Sequence, residues 1–361
     1  MMRDMATGVN LLRRWSRVLL MGLLGLGLNQ LQLLAQNSQF ITNRALPPRV
    51  HVYEDYETDI EKRWWLRGVI ETNNLPPTLS GTLANTRACR ASVGKGSDTS
   101  KAVLFNPVPG PPMGSHPCLS FRYWLKGDDQ FRVQIFSLTS NDNCHIVLTN
   151  LPQSRWQSAA VDLTRARRND GSGGSLTENE RIDDIQFYVR TNADLIIDDI
   201  VLYDAPPETE KRPFPKRIIF TAWFDTGKQG TEWPGDFEIV PHEKPLTWKA
   251  AKSVLHKPTD TSWIRIQMRG FRRLSQVTQL RFRYHVKGTT SVTFALANSQ
   301  SDQEVSTELP FLETNTWAVA SVRFKADPEM PFADEIRFRI KREAELLVDD
   351  VLLFEPGDDP K

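Results

Sequence analysis

Two stretches of the chain repeat one pattern of apolar and polar positions. Residues 180–203 (ERIDDIQFYVRTNADLIIDDIVLY) and residues 332–354 (FADEIRFRIKREAELLVDDVLLF) each read as two strands joined by a short polar turn. In the first stretch, Ile185, Phe187 and Val189 are separated by more polar residues. A period of two marks a strand with one face toward a core and one toward solvent.

Further matching stretches and residues, which we call anchors, recur in the same order in both halves of the chain. The stretch LSFRYWLKG at 119–127 matches LRFRYHVKG at 280–288, and Trp65 is matched with Trp233. The anchors keep their order while the spacing between them changes. This predicts two duplicated domains whose loops differ in length, and it excludes a solenoid of short repeats.

Many short strands and turns, with no long amphipathic helix, predict an all-β chain of two tandem β-sandwich (jelly-roll) domains. The expected organisation is a signal peptide (1–35), a flexible lead-in (36–50), jelly-roll domain 1 (51–205), a proline-rich linker (206–216), jelly-roll domain 2 (217–356) and a tail (357–361).

The N-terminal segment has the pattern of an export signal. Arg13, Arg14 and Arg17 precede an apolar run at 18–28, and Leu33-Leu34-Ala35, which ends in a small residue, precedes Gln36. The run is shorter than the roughly 20 residues that a spanning helix needs. Cleavage is therefore favoured over a retained signal anchor, and the mature chain is expected to carry no membrane span. We expect an exported protein located outside the cell, in a periplasm or at the cell surface.

Composition narrows the function classes. The formal net charge is +1, from 45 Lys+Arg against 44 Asp+Glu, so no global field favours nucleic acid. The three cysteines, Cys89, Cys118 and Cys144, all lie in the first copy. They allow one disulfide and a free thiol, or three buried thiols.

The order of these motifs is similar to that of one known group of domains. An aromatic–acid pair (Tyr56-Glu57, Phe224-Asp225) comes first, then an L-x-F-R-Y strand, a W-x-x-x-x-V strand and a closing [IV]-D-D-[IV]-x-L strand. This resembles the galactose-binding-like jelly rolls used by many carbohydrate-binding modules of secreted bacterial proteins. The resemblance covers both copies, and it indicates the fold more strongly than it indicates the ligand.

The resemblance also implies a structural Ca²⁺ in each domain, held between an early acid and an acid of the last strand. By position these are Glu57 and Asp198 in domain 1, and Asp225 and Asp349 in domain 2. Calcium takes several oxygen ligands, and the motif supplies only two of them. An ion pair or a turn-capping carboxylate is the alternative.

The residues that alternate with the core positions form a candidate binding face in domain 1. They are Arg122, Trp124, Arg132, Gln134 and Tyr188. An aromatic ring beside guanidinium and amide groups can stack on a sugar and bond its hydroxyls. We expect strands 119–126 and 130–138 to be antiparallel neighbours, which would bring Trp124 close to Arg132 and Gln134. A solvated face, or one packed on the other domain, is the alternative.

The equivalent positions of domain 2 are mainly basic and favour an anionic partner if they bind a ligand; they are Arg281, Arg283, His285, Lys287, Arg337, Arg339 and Lys341. No metalloprotease, nucleophile-elbow or phosphate-loop motif occurs in the sequence. The sequence thus predicts a secreted, non-catalytic protein that binds a polysaccharide or a cell-surface glycan. The alternative is a structural or adhesive envelope protein whose sandwiches bind other proteins.

Overall fold

The alternation seen in the sequence becomes a fold made almost entirely of β-strands. The computed structural model describes residues 49–58, 60, 64–72, 75–76, 87–94, 100–204, 217–242, 248–325 and 327–356. The expected signal peptide, residues 36–48 of the lead-in, the linker 206–216 and the tail 357–361 lie outside the described residues. No α-helix occurs within these ranges, and none of their helices could cross a membrane.

Domain 1 begins two residues before the predicted boundary, because its first strand starts at Arg49. Its strands are β1 (Arg49–Glu54), β2 (Leu66–Arg67), β3 (Val69–Glu71), β4 (Ala88–Arg90), β5 (Ser92–Val93), β6 (Ser100–Phe105), β7 (Pro117–Lys126), β8 (Phe131–Ser137), β9 (Asp142–Leu148), β10 (Trp156–Asp162), β11 (Arg167–Arg168), β12 (Ile182–Arg190) and β13 (Asp194–Asp204). A short 3-10 helix, Leu163–Arg165, follows β10.

These strands form two antiparallel sheets that enclose one core. Sheet I has the order β10-β7-β13-β4-β3, with β1 also paired to β13. Sheet II has the order β11-β9-β8-β12-β6-β2, with β5 paired to β6. Consecutive strands such as β7 and β8, or β12 and β13, lie in different sheets, as expected of a jelly roll.

Domain 2 repeats this plan. Its strands are β14 (Arg217–Ala222), β15 (Gly235–Asp236), β16 (Glu238–Pro241), β17 (Lys249–Lys252), β18 (Val254–His256), β19 (Thr261–Arg273), β20 (Val277–Lys287), β21 (Val292–Asn298), β22 (Gln303–Leu309), β23 (Trp317–Lys325), β24 (Phe332–Lys341) and β25 (Glu345–Glu355). Sheet III is β16-β17-β25-β20-β23 with β14 on β25, and sheet IV is β15-β19-β24-β21-β22 with β18 on β19. A 3-10 helix spans Lys257–Thr259.

Each sandwich buries its own aromatic core. In domain 1, Phe121 is 2% exposed, and its ring lies 4.9 Å from Phe187 and 5.9 Å from Phe131, measured between centroids. In domain 2, Phe282 and Phe338 form the equivalent contact at 5.2 Å. Facing residues of the two sheets interdigitate, which is how a sandwich excludes water. The predicted all-β class and the two tandem sandwiches are confirmed.

The closing strand of each domain contains a β-bulge at the second acid of its pair. Asp199 and Asp350 have φ angles of 48° and 47°, and the pairing register shifts there. The bulge reverses the alternation, so Ile197 and Ile200 both face the core. Asp198 follows Ile197 and pairs with the outward-facing Arg122, so it lies on the outer face of sheet I, and the bulge at Asp199 returns Ile200 to the core.

The two sandwiches belong to one compact unit and bury an apolar interface. Val50 and Val201 of domain 1 pack in one cluster with Ile218 and Leu352 of domain 2. Polar contacts surround the cluster: Trp223 Nε1 donates to the carbonyl oxygen of His51 at 2.9 Å, and Thr221 Oγ1 donates to that of Val50 at 2.7 Å.

One glycine is required by this interface. Gly227 of domain 2 has a φ of 89°, which side chains rarely adopt. A Cβ atom added there would lie 2.9 Å from Pro109 of domain 1 and 3.0 Å from Trp233 Nε1. The absence of a side chain at Gly227 therefore sets how closely the two domains approach.

The core contact of Phe121 gives a direct test of the sheet assignment. We expect Phe121→Ala to lower the free energy of unfolding by about 3–5 kcal/mol, because it opens a cavity among packed rings. Phe311, which is 82% exposed, provides a matched control, and Phe311→Ala should change stability by less than about 0.5 kcal/mol. Urea unfolding measures both. Equal effects of the two substitutions would contradict the assignment of Phe121 to the core.

Candidate functional site

The structure separates the five residues of the predicted binding face. Arg122 and Trp124 lie on β7 in sheet I, whereas Arg132 and Gln134 lie on β8 and Tyr188 on β12 in sheet II. The predicted pairing of β7 with β8 is therefore wrong. Both strands turn their apolar side chains to the same core. Two strands that face each other across the core show this pattern just as two paired strands of a hairpin do.

The outer face of sheet I is packed around the two residues it holds. Arg122 forms an ion pair with Asp199 at 3.1 Å, and its guanidinium lies 5.3 Å from the centroid of the Trp156 ring. Trp124 is half-buried in a cluster with Trp156 and Ile196. Little of either side chain remains for a ligand.

Sheet II carries a different outer face, which we call the polar face. Cross-strand pairing places Leu104, Gln186, Gln134 and His145 in one row, with Arg67 opposite Leu104. A second row brings Tyr188 opposite Arg132. The polar face consists of Trp65, Arg67, Arg132, Gln134, His145, Gln186 and Tyr188. It therefore keeps three of the five predicted residues together.

Contacts within the polar face hold its side chains in place. The Arg132 guanidinium lies 4.7 Å from the centroid of the Tyr188 ring, a cation–π contact. Gln134 Nε2 donates to Gln186 Oε1 at 2.6 Å and to Asn143 Oδ1 at 3.0 Å. The amides and the guanidinium are thus preorganised side by side.

Several polar atoms of this face lack a hydrogen-bond partner among the described residues. They are Arg132 Nε, Gln134 Oε1 and His145 Nδ1, all of them shielded from solvent. Buried polar atoms are nearly always paired with protein, water or ligand. A donor, an acceptor and an imidazole nitrogen on neighbouring strands are therefore without a protein partner among the described residues.

Trp65 completes the polar face, although it is not one of the five residues predicted from the sequence. Leu66 packs on the core, so alternation turns its neighbour Trp65 to the outer face, where the ring is 58% exposed. Its amide donates to Asn106 Oδ1 at 3.0 Å, which fixes it beside β6. Two adjacent tryptophans before a two-residue strand were the available signal, because one of such a pair must face outward.

The match between Trp65 and Trp233 is wrong by one residue. Leu66 pairs with Phe105 as Gly235 pairs with Ile266, so Trp233 corresponds to Trp64. Trp233 is 7% exposed, and its indole donates to the Thr226 carbonyl. Trp64 likewise packs on the core of domain 1. Domain 2 has no counterpart of the exposed Trp65 ring at this position, which is taken by Pro234.

The equivalent face of domain 2 is closed by its own ion pairs. Arg337 and Arg339, which occupy the positions of Gln186 and Tyr188, both bond Glu304. Arg337 also bonds Glu335, 2.9 Å from its Nε. Arg281 and Arg283 lie in sheet III instead. The predicted basic residues of domain 2 are therefore divided between two sheets, and the charges of Arg337 and Arg339 are paired with carboxylates.

The carboxylates predicted to hold calcium in domain 2 surround an arginine of domain 1. Arg49 Nη2 lies 2.6 Å from Asp225 and 3.9 Å from Asp349, and its Nε lies 2.8 Å from Asp350. A guanidinium therefore supplies the positive charge between these acids. The donor set does not fit a calcium ion beside it, since two cations would share the same oxygens.

Domain 1 arranges its predicted ligands differently. Glu57 Oε1 accepts from the amide of Arg87 at 2.9 Å, and Asp198 Oδ1 accepts from that of Asp199 at 2.8 Å. Among the described residues, no group of three or more His, Cys, Asp or Glu side chains is arranged to hold a metal ion. Calcium between Glu57 and Asp198 stays a prediction, which elemental analysis of the protein would test.

Burial shifts the pKa of several acids and histidines in these clusters. Burial, reinforced by the nearby Arg283 charge, lowers the pKa of His242 to about 4. The Nε2 atom of His242 lies 3.1 Å from Asp349. Burial, reinforced by Asp350, raises the pKa of Asp349 well above its usual value. Beside the polar face, burial and then the Asp183 charge raise the pKa of Asp184 to about 6.

No protein-family model matches the sequence, and a search of curated proteins finds no match either. Solved structures are similar in fold. The tandem CBM22-1-CBM22-2 domain of Paenibacillus barcinonensis Xyn10C is 12% identical with a TM-score of 0.29, covering 87% of this chain and 99% of that one. The family 11 carbohydrate-binding module of Clostridium thermocellum Lic26A-Cel5E is 18% identical with a TM-score of 0.32, covering 45% and 97%.

An agarase, AgWH50C, is also similar, at 12% identity and a TM-score of 0.30, over 44% of this chain and 26% of the agarase. The solved structures include carbohydrate-binding modules, the group that the sequence motifs resemble. At these TM-scores the likeness carries no conclusion about this chain.

The charge cluster around Arg49 predicts a strong effect of one substitution. Arg49→Ala should lower the free energy of unfolding by about 3–5 kcal/mol, because it leaves buried carboxylates without their partner. The control is Arg342→Ala, which removes an ion pair to Asp260 whose side chains are 54% and 67% exposed. That pair should contribute less than about 1 kcal/mol. Chemical unfolding measures both, and a stable Arg49→Ala protein would argue against the ionic cluster.

Asp184 predicts a pH dependence with a definite sign. Its pKa in the folded chain, about 6, lies above its ordinary value of 3.8, so the folded state binds the proton more tightly than the unfolded state. The contribution of Asp184 to stability is therefore present below its ordinary pKa and is lost as the pH rises through about 6. Asp184→Asn should remove this loss, as measured by urea unfolding across that range. A constant stability difference between the two proteins would contradict it.

Proposed function

We propose that the chain is an exported, non-catalytic glycan-binding protein and that the polar face of domain 1 holds the glycan. The observation that carries the proposal is the exposed Trp65 ring on the same outer face of sheet II as Gln186, Gln134 and Arg132. Strand β6 lies between Trp65 and β12, and β8 is the next strand after β12. An indole face can stack on the C–H face of a pyranose, and the amide and guanidinium groups can bond its hydroxyls.

The atoms left without partners support a polyhydroxylated ligand. Arg132 Nε can donate and Gln134 Oε1 can accept, and a sugar hydroxyl does both. His145 Nδ1 adds a third group on the next strand. The row from Arg67 to His145 crosses five of the strands of sheet II, about 19 Å at the usual strand spacing. This length suits a chain of several sugars better than a single one.

A neutral polysaccharide fits better than an acidic one. The arginines of domain 2 that would attract anions are bonded to Glu304 and Glu335. In domain 1 the Arg132 guanidinium lies over the Tyr188 ring, which covers one face of the group. Trp65 and the two glutamines carry no charge, so stacking and neutral hydrogen bonds would dominate binding.

The binding role of Trp65 can be separated from stability. We expect Trp65→Ala to weaken binding to the preferred polysaccharide at least about tenfold, because aromatic anchors carry a large share of binding energy. Its stability should change by less than about 0.5 kcal/mol, since the ring is 58% exposed. The measurement is a glycan array followed by affinity electrophoresis of the mature chain, with Phe311→Ala as the exposed-aromatic control.

Two outcomes would contradict the proposal. Glycan binding that survives Trp65→Ala unchanged would move the site away from the polar face. No binding to any polysaccharide on the array would instead favour the structural or adhesive alternative. Release of reducing sugar ends during incubation would refute the non-catalytic part.

A further inference from the structure

A cavity lies between the two sandwiches, apart from the polar face. Its wall includes His51, Trp64 and Pro109 of domain 1, and Trp223 and Trp233 of domain 2. Its volume is about 60 Å³. This is the volume open to the centres of water molecules, of which one water needs about 10–15 Å³, so the cavity has room for about four to six waters. A single pyranose ring occupies a comparable space.

Three indoles line this cavity, and the protein itself supplies acceptors for their N–H groups. Trp223 Nε1 donates to the His51 carbonyl at 2.9 Å, and Trp233 Nε1 donates to the Thr226 carbonyl at 2.7 Å. Trp64 Nε1 donates to Glu54 Oε2 at 3.1 Å. The indoles therefore offer stacking surface rather than hydrogen bonds to an occupant.

His51 supplies the polar part of the wall. It is 4% exposed, and neither ring nitrogen has a hydrogen-bond partner among the described residues. Burial, with the Arg49 charge adding to it, lowers the pKa of His51 to about 3, so the ring is neutral at physiological pH. A neutral imidazole has one donor and one acceptor nitrogen. Burying both without partners is costly unless an occupant of the cavity bonds them.

Arg269 and Glu232 add charged groups to the wall. Arg269 Nη2 donates to the carbonyl oxygens of Thr231 and Glu232, at 2.5 Å and 2.7 Å. Its Nε and Nη1 have no partner in the described part of the chain. Glu232 Oε2 accepts from the Lys228 amide at 2.8 Å, which leaves the other carboxylate oxygen for an occupant.

From these features we infer that the interdomain cavity is a second binding site, which takes one pyranose residue such as the end of a glycan chain. Ring C–H groups contact the indoles, and hydroxyls exchange hydrogen bonds with His51, Arg269 and Glu232. The site is formed by both domains, so neither sandwich holds it alone. It does not depend on glycan binding at the polar face, which lies on the outside of sheet II.

The test is calorimetric and saturation-transfer NMR titration of the mature chain with a panel of hexoses, pentoses, N-acetylhexosamines and uronic acids. At least one sugar is expected to bind saturably. His51→Phe keeps a ring of similar size without its nitrogens, and Arg269→Lys removes the planar fork. Each is expected to weaken that binding about tenfold or more. Trp65→Ala, on the polar face, is expected to leave it unchanged.

The outcomes separate the two sites. Sugar binding that is lost in His51→Phe and kept in Trp65→Ala supports the cavity site, whatever happens to polysaccharide binding. Binding lost in Trp65→Ala and kept in both His51→Phe and Arg269→Lys would assign the sugar to the polar face and overturn the inference. No saturable binding by any sugar of the panel would show that the cavity holds water only, and would overturn it as well.

Discussion

Arg49 leaves domain 1 and places its charge among three carboxylates of domain 2. The side chain is 19% exposed, and Asp225, at 2.6 Å, is only 5% exposed. Charges at such depth are tolerable only when paired, and each partner is costly to leave alone. The stability of domain 2 therefore depends on the presence of domain 1. Arg217, the first residue of β14, makes the reciprocal contact with Asp55 of domain 1 at 3.3 Å.

Because of this reciprocal pairing, part of the outer surface of each domain is covered by the other domain. The outer faces of sheets I and III meet through β1, β13, β14 and β25, so this part of each face is committed to the interface and its surrounding ion pairs. The outer faces of sheets II and IV remain, and they have diverged. Sheet IV neutralises itself through Arg337 and Glu304, whereas sheet II keeps an exposed indole and unpaired polar atoms. Duplication thus yields one domain with an open face and one whose equivalent face is closed.

Period-two alternation was enough to predict the strands and the core position of residues such as Phe187, and the recurring anchors were enough to predict the two copies. It could not show which sheet a strand joins, because β7 and β8 have the same pattern whether they pair or face each other across the core. That is why Trp124 was grouped with Arg132 and Gln134. The bulge at Asp199 was also hidden, since an extra residue in a strand leaves no mark in a hydrophobic run. Long-range ion pairs such as Arg49 with Asp225 join residues far apart in sequence, and only the fold brings them together.

The three cysteines have a consequence for how this protein can be made and handled. None of the three is part of a disulfide, and Cys89 and Cys144 are fully buried in the core of domain 1. Burial raises the pKa of the Cys89 thiol above its usual range and that of Cys144 to about 11, so neither forms the reactive thiolate at neutral pH. We therefore expect domain 1 to reach the same native state under reducing and oxidising conditions.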